Sequence, residues 1–457
     1  MIARARLAAY DILLAVSAGR SDLPTAIASA RKLLPDERDR ALASEIATGV
    51  QRWRATLDYL VVALSKREIA RLDPEIVEIL RLSAYQLLHL TRVPASAVVD
   101  DAVKLVKRSG KRSATGFVNA VLRTLSRTRK SLPLPPRPSD PGDREAALDY
   151  LSNTLSHPRW LAARWYDRMG LDAAESWMRF NNAPAPLTLR ANRLENTREE
   201  LTVRLASEDT RVRPTRFAPD GLIVEDGHPL RGTGQANGWF VVQDEASQLV
   251  SLLATPHPGS RVLDTCAAPG GKTTALSAAM HGEGLLVACD ARARRMALLR
   301  ATVRSAHASN VRFVQANLLS PLPFSAPFDC VLVDAPCSGL GTLRRDPDIK
   351  WRRHELEIAA LAMAQTLMLH HAAAAVAPGG QLVYATCSSE PEENEAVAAA
   401  FLAHAPDFST VDLRTAPTAL PRDVSPDVID GHGHLRTWPH VHGLEAFFGA
   451  VFVRRKL

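Results

Sequence analysis

The sequence predicts a multidomain chain in three parts: an all-α helical bundle, a small α+β module, and a doubly wound α/β sheet. Three observations carry this. Residues 1–130 show helical periodicity throughout, and residues 131–144 hold five prolines and a glycine. From Gln243 onward, short apolar runs alternate with helical stretches, as successive β-α units of a parallel sheet require. The 457 residues, at roughly 100 to 200 per domain, leave room for about three domains. The expected boundaries are a bundle over 1–130, a linker over 131–144, a module over 145–240 and the sheet domain over 241–457.

At the N-terminus, Arg4 and Arg6 precede an apolar patch in the manner of a secretory signal. Asp11 interrupts the patch at helical spacing, which favours a structural first helix. After Leu72, Asp73 is placed to cap and Pro74 suits the first helical position. Ile76, Leu80 and Leu87 then fall on one face, with Ile79 and Ala84 beside them. Residues 1–130 contain 23 Lys or Arg against 13 Asp or Glu, a net of +10, so the rest of the +7 chain is 33 minus 36, or −3. Nine basic residues and no acid lie from Lys104 to Lys130: Lys104, Lys107, Arg108, Lys111, Arg112, Arg123, Arg127, Arg129 and Lys130. A solvated helix face would normally mix signs, so this run points to nucleic-acid contact.

The prolines of SLPLPPRPSDPGDR, Ser131 to Arg144, favour extended backbone and define the linker. Beyond it, helical patches carry Trp160, Trp165 and Trp177, read as core residues, and strands are expected around Leu187–Arg190 and Leu222–Val224. Asn181, Asn182, Arg190 and Asn192 are candidates either for RNA contact or for ordinary surface structure.

The sheet strands are expected at 261–264, 285–289, 311–314, 330–333 and 381–384, ending at Asp264, Asp290, Asn317, Asp334 and Thr386-Cys387. Ligands of such sheets bind beyond these carboxyl ends. The first strand runs into CAAPGGK, Cys266, Ala267, Ala268, Pro269, Gly270, Gly271 and Lys272, and then a helix, which brings backbone N–H groups and a positive helix end to that edge. A phosphate-binding loop would need Gly at position 266, which is Cys266, and Pro269 removes a donor, so a nucleotide triphosphatase is the weaker reading. Carboxylates on successive strand ends suit S-adenosylmethionine instead. Asp290 would accept from ribose hydroxyls, Asn317 would face adenine, and Gly270 and Gly271 would admit the methionine part.

All five cysteines, Cys266, Cys289, Cys330, Cys337 and Cys387, lie in the sheet domain, an odd and clustered set that is no disulfide framework and fits a cytoplasmic protein. Cys289 and Cys330 are flanked by apolar strand residues and read as core. Cys337 and Cys387 follow the fourth and fifth strands, where a substrate would lie. Methylating C5 of a pyrimidine requires a thiolate to add first at C6, so a cysteine at the cofactor edge fits that chemistry, with Lys272 or a helix N-terminus helping to ionise it and Asp334 holding the base edge. Spacing does not decide which of Cys337 and Cys387 is the nucleophile. No metal is called for.

The motifs CAAPGGK, DAPCSGLGTLRRDPDIKW (Asp334–Trp351) and YATCSSEPEEN (Tyr384–Asn394) resemble the Nop2/Sun class of RNA cytosine-5 methyltransferases. Arg81 to Leu125 resembles the NusB-like RNA-binding helical domain, and together they resemble the RsmB/Sun-type branch. The resemblance implies a Rossmann-like methyltransferase sheet, S-adenosylmethionine as cofactor, and small-subunit ribosomal RNA as partner, with a target of the position-967 class. It also implies that Cys387 is the nucleophile and that Cys337 assists release; a monomer is expected. Cofactor contacts pass to Cys266–Lys272, Asp290, Asn317 and Asp334. The family's third-strand position usually carries Asp, so Asn317 departs from the pattern and implies weaker cofactor binding. The C-terminal RTWPHVHGLEAFFGAVFVRRK resembles a closing hairpin in which His440 and His442 shape the pocket. A non-catalytic assembly or antitermination factor is the binding-only alternative.

Overall fold

A computed structural model describes residues 2–416, 420–421 and 425–456. The chain packs as two compact units: residues up to Pro184 together with Leu343–Arg353, and Ala185–Thr342 together with His354 onward.

The first unit is helical. Helices α1 (Arg4–Ser17), α2 (Leu23–Leu33), α3 (Glu37–Ser65), α4 (Pro74–His89), α5 (Ala95–Arg108) and α6 (Thr115–Thr128) form the bundle, followed by α7 (Arg144–Asp149) and α8 (Arg159–Asn182). The expected first helix is present, and Arg6 is drawn inward by a 2.5 Å ion pair with Asp101 and a bond to Gln86. Ile76, Ile79, Leu80, Ala84 and Leu87 are all buried. Asp73 stands at the N-cap of α4, but its side chain makes no cap bond. Its carboxylate instead accepts from Lys111 Nζ at 2.9 Å.

The residues expected as a linker are irregular but anchored. Leu132 and Leu134 pack on the bundle core, and Thr154 Oγ1 donates to the Pro135 carbonyl at 2.6 Å. Trp165 and Trp177 stack with centroids 4.6 Å apart and are fully buried, as core residues should be. No helix among the described residues is long and apolar enough to cross a membrane.

Helix α3 departs from helical geometry at Trp53, and the groups freed there find partners far away in sequence. The amides of Ala55 and Thr56 turn to Ser156 Oγ at 3.0 and 3.4 Å. The carbonyl of Gln51 accepts from Trp351 Nε1 at 2.6 Å, and that of Arg52 from Lys350 Nζ at 2.9 Å. Lys350, at 1% exposure, also donates to the Ser156 carbonyl at 2.6 Å. A kink is tolerated only where its loosened backbone groups are satisfied; Ser156 takes the amides, and the short helix α13 (Ile349–Arg352) supplies the donors for the carbonyls.

The second unit holds two sheets. Strands β1 (Thr188–Ala191), β2 (Arg211–Pro214), β3 (Gly221–Asp226) and β4 (Phe240–Val242) form an antiparallel sheet of order β2-β3-β1-β4, with α9 (Arg198–Ser207) packed on it. After α10 (Glu245–Ser251) come β5 (Arg261–Asp264), α11 (Gly271–Ala279), β6 (Leu285–Asp290), α12 (Ala293–Ser305), β7 (Val311–Gln315) and β8 (Phe328–Asp334). Then follow α14 (Glu357–Ala373), β9 (Val376–Thr386), α15 (Glu395–His404), β10 (Phe408–Thr410), β11 (Leu435–Arg436) and β12 (Phe448–Arg454).

The large sheet has the order β10-β12-β9-β8-β5-β6-β7, parallel from β7 to β9, with β12 inserted antiparallel. Val262, Cys330, Leu332 and Val383 enter one core, while Leu263, Val331, Val333 and Tyr384 enter the core on the opposite face. Both faces are covered, as period-two alternation in a doubly wound sheet requires.

The two compact units cut across the expected module. The module expected over 145–240 is divided: helices α7 and α8 pack in the first unit, and α9 with the strands β1 to β4 in the second. Within the sheet domain, Leu343–Arg353 departs to the first unit because its polar side chains answer the α3 kink. Replacing Lys350 by Met should leave the Arg52 and Ser156 carbonyls unpaired and cost on the order of 3 kcal/mol in chemical denaturation. A variant as stable as the parent would show that the kink does not depend on Lys350.

Candidate active site

Chain order reverses between β5 and β8, and the crevice of such a sheet opens at this point. The CAAPGGK loop lies there and is pinned by backbone bonds. Thr265 N–H and Oγ1 donate to the Leu332 carbonyl, both at 3.0 Å, and Ala267 N–H donates to that of Cys289 at 2.8 Å. The Ala268–Pro269 peptide is cis. Arg295 donates to the Ala268 carbonyl at 2.5 Å. Gly270 has φ +109°, and a Cβ there would stand 3.1 Å from Leu299 and Thr302, so this glycine is required by its turn and by close packing on α12.

Asp264 is fully buried, and Thr273 Oγ1 donates to its Oδ2 at 2.7 Å. Its Oδ1 has no partner among the described residues. Burial, aided by the charges of Asp334 and Asp290, pushes this carboxyl up to about 7 against the opposing Thr273 bond. Asp290, also buried, accepts from the Arg292 N–H at 3.1 Å and lies 3.5 Å from Arg295 Nε. Asn317 is exposed two residues beyond β7, where its Oδ1 already accepts from the Leu319 N–H at 3.1 Å.

Asp334 ends β8 and pairs with Lys272, Nζ to Oδ2 at 2.7 Å. Burial works to lower the Lys272 pKa, but the charge and hydrogen bond of Asp334 outweigh it, and the net shift is upward. Lys272 is therefore an ammonium at neutral pH, 5.6 Å above the Phe447 ring, and not a base.

Cys337 and Cys387 stand with their sulfurs 3.3 Å apart. The hydrogen bond to Cys387, with burial added, pushes the Cys337 thiol well above its ordinary value. Either sulfur can donate the hydrogen bond between them. The Gly341 N–H donates to the Cys387 carbonyl and the Ala446 N–H to that of Gly341, both at 3.0 Å. A side chain at Gly341 would collide with the Ala446 carbonyl.

The strand ends thus bring Lys272, Asp334, Cys337 and Cys387 to one edge, with Asp264 and Asp290 on the neighbouring strand ends. Cys289 and Cys330 are core residues. Asn181, Asn182, Arg190 and Asn192 provide neither RNA contact nor surface structure, because all four are buried. Arg190 donates to the Gly271 carbonyl at 2.6 Å and to Thr274 Oγ1 at 2.7 Å. It supports the loop from beneath. Asn192 donates to the Gly238 and Ala306 carbonyls at 2.8 and 2.9 Å. His442 accepts from the Trp438 N–H and bonds the Asp427 carbonyl, each at 2.8 Å, which makes it structural. Sequence reasoning passed over Glu393, Gln365 and Gly341; Glu393 and Gly341 lie inside the quoted motifs, and only their spatial partners reveal their use.

In the unfolded chain Asp264 titrates near 3.8, and in the fold at about 7, so the stability it contributes is complete below the former value and is lost as pH rises through the latter. Asp264→Asn cannot ionise and should escape that loss. Between pH 5 and 8 the urea midpoint of the parent should fall relative to that of the variant; a constant difference would refute the shift.

Three family models match the chain: 16S rRNA methyltransferase RsmB/F over residues 251–453, the NusB family over 3–127, and an RsmF/B-like ferredoxin-like domain over 157–231. The probable ribosomal RNA small subunit methyltransferase B of Bacillus subtilis (strain 168) is 33% identical over 418 residues, 90% of each chain. The ribosomal RNA small subunit methyltransferase B of Pseudomonas putida is 36% identical over 416 residues, covering 90% of this chain and 91% of that one. The crystal structure of PH0851 superimposes with a TM-score of 0.80 at 25% identity over 99% of both chains.

Proposed function

This chain belongs to the 16S rRNA methyltransferase RsmB/F family, and from that premise we propose that its RNA methyl transfer is directed to C5 of a cytosine in small-subunit ribosomal RNA, through a Cys387 adduct at C6. The observation that carries this reading is the pair of thiols 3.3 Å apart at the strand edge that also bears Asp334 and Lys272. An amino-group methyltransferase needs no thiol.

The strand-end carboxylates fit S-adenosylmethionine, a ligand with hydroxyls, an amine and a positive sulfur, and they would oppose a triphosphate. The Lys272 ammonium, which a phosphate loop would need, is held by Asp334. Asp290, Asn317 and the loop Cys266–Lys272 would hold the cofactor, which supplies an electrophilic methyl group.

Cys387 as thiolate adds to C6 and makes C5 an enamine carbon, while Asp334 holds the N3 or amino edge of the base. The Lys272 cation favours the thiolate electrostatically. After methyl transfer the C5 proton leaves to a base, and the C6–S bond breaks to return the Cys387 thiolate. Cys337, beside that sulfur, serves this release. The target base must leave its stack first, at a cost of a few kcal/mol.

Cys387→Ser should abolish transfer while cofactor and RNA remain bound, because a protonated hydroxyl adds poorly. Cys337→Ala should accumulate a covalent protein–RNA adduct that survives denaturing electrophoresis. An adduct with Cys387→Ser but not with Cys337→Ala would reverse the two roles; unaffected transfer in both would exclude covalent catalysis. Bisulfite sequencing of ribosomal RNA from cells with and without the protein identifies the cytosine.

RNA contact by the bundle is read from Lys107, Arg108, Arg112, Arg123, Arg127, Arg129 and Lys130, all exposed. Residues 1–130 cannot simply be removed, since the α3 kink is completed by Ser156, Lys350 and Trp351. Charge removal is the cleaner test. Arg123→Gln, Arg127→Gln and Arg129→Gln together should weaken RNA binding and reduce the slope of log K against log salt by about 0.7 for each phosphate left unneutralised. An unchanged slope would remove this face from the RNA interface.

A further inference from the structure

Cys337 and Cys387 lie on separate loops, after β8 and β9. The last backbone link between these strands is the Ala335 N–H to the Ala385 carbonyl, at 2.8 Å. Beyond it a single backbone bond, from the Gly341 N–H to the Cys387 carbonyl at 3.0 Å, ties the two loops, and the sulfurs meet at 3.3 Å. Something past the sheet must set that distance.

The side chain of Glu393 touches the residue immediately following each cysteine. Its Oε1 accepts from the Ser338 N–H at 2.8 Å, and its Oε2 accepts from Ser388 Oγ at 2.5 Å. The two serine hydroxyls also meet each other at 3.1 Å. Gln365 Nε2 donates to the same Oε1 at 2.9 Å and to the Pro336 carbonyl at 3.0 Å. Glu393 is itself fixed, because Tyr384 Oη donates to its carbonyl at 2.5 Å. Asn394 donates to the Ser388 carbonyl at 3.1 Å and accepts from Thr386 Oγ1 at 2.5 Å, closing the loop on itself.

Glu393 is completely buried, and among the described residues no cation pairs with it. Burying a carboxylate without a counter-ion is unfavourable, and packing alone would be served as well by a neutral side chain. The structure assigns to Glu393 the role of a positioning residue that joins the two thiol loops and sets the distance between Cys337 and Cys387. It touches neither sulfur and is not a catalytic residue. Its negative charge is also among the causes that hold the Cys337 thiol up.

This inference rests on the reading of both thiols as reacting groups, so its test includes a measurement independent of methyl transfer. Diamide takes up two protons and two electrons as an S–S bond closes between neighbouring thiols. The rate of Cys337–Cys387 bond formation in the full-length protein, followed by peptide mass spectrometry, therefore reports the sulfur separation. Glu393→Ala removes the carboxylate tie between the two loops and should slow disulfide closure and lower kcat by roughly 100-fold, the scale of a 1 Å misplacement, with KM for both substrates unchanged.

Glu393→Gln should restore both quantities, since its oxygen can accept from Ser338 and its amide can donate to Ser388 Oγ. Removing the charge should still shift Cys337 ionisation to lower pH, which alkylation rates would show. Ser388→Ala removes one arm only and should move closure and kcat in the same direction by less, which covers the case in which Glu393→Ala fails to fold. Parental closure in Glu393→Ala, or in Ser388→Ala if the former does not fold, overturns the assignment. Slowed closure in an enzyme that still transfers methyl with Cys387→Ser would instead leave the positioning role standing and remove the covalent mechanism.

Discussion

The parallel register of β5, β8 and β9 is the constraint on which the site depends. It sets Asp264 beside Leu332 and Asp334 beside Ala385, so chemically active residues that follow each strand arrive at one edge. Because order reverses between β5 and β8, the CAAPGGK loop and the DAPC segment diverge from adjacent strands, and only there can Lys272 reach Asp334 at 2.7 Å. The thiols need one more device, since both cysteines lie beyond the last paired residue. A one-residue slip of β9 would carry Cys387 away from Cys337 and invert every side chain of that strand between the two cores.

Much of this architecture was legible from pattern alone. The five apolar runs coincide with β5 to β9, nearly to the residue for β5, β6 and β7, because each is a short apolar stretch bounded by polar residues. β9 begins earlier than expected, at Val376, since Ala377–Gly380 carries Pro and Gly and reads as a turn. The strand-end residues were legible for the same reason: an apolar run that stops at Asp or Thr-Cys marks where the sheet ends. Glu393 was not, because an acid in EPEEN looks solvated until three donors converge on it. Nor could sequence show that the Asn317 oxygen is engaged by its own turn.

Domain boundaries were harder to read for a related reason. RRDPDIKW has the local signature of a turn and one helical turn, which fits any surface. Its partners are carbonyls released by a kink at Trp53, and Lys350 lies 298 residues from Arg52 in sequence. Periodicity records what a segment buries locally; it holds no record of where a loosened carbonyl finds its donor. The same holds for Arg190, whose flanking strand pattern gives no sign that its guanidinium turns inward to the Gly271 carbonyl.

The charges of the site divide the work between residues. Lys272 is held as an ammonium by Asp334, so it can attract a thiolate but cannot take a proton. Cys337 retains its proton because of its bond to Cys387, its burial and the nearby Glu393 charge. The nucleophile of the proposed mechanism is Cys387, the sulfur whose charge helps raise Lys272. Two chemically identical side chains 3.3 Å apart are thus made unequal by their surroundings, with the ammonium acting on one and the buried carboxylate on the other. Reversing the proposed roles of the cysteines would require exchanging those surroundings, not the cysteines themselves.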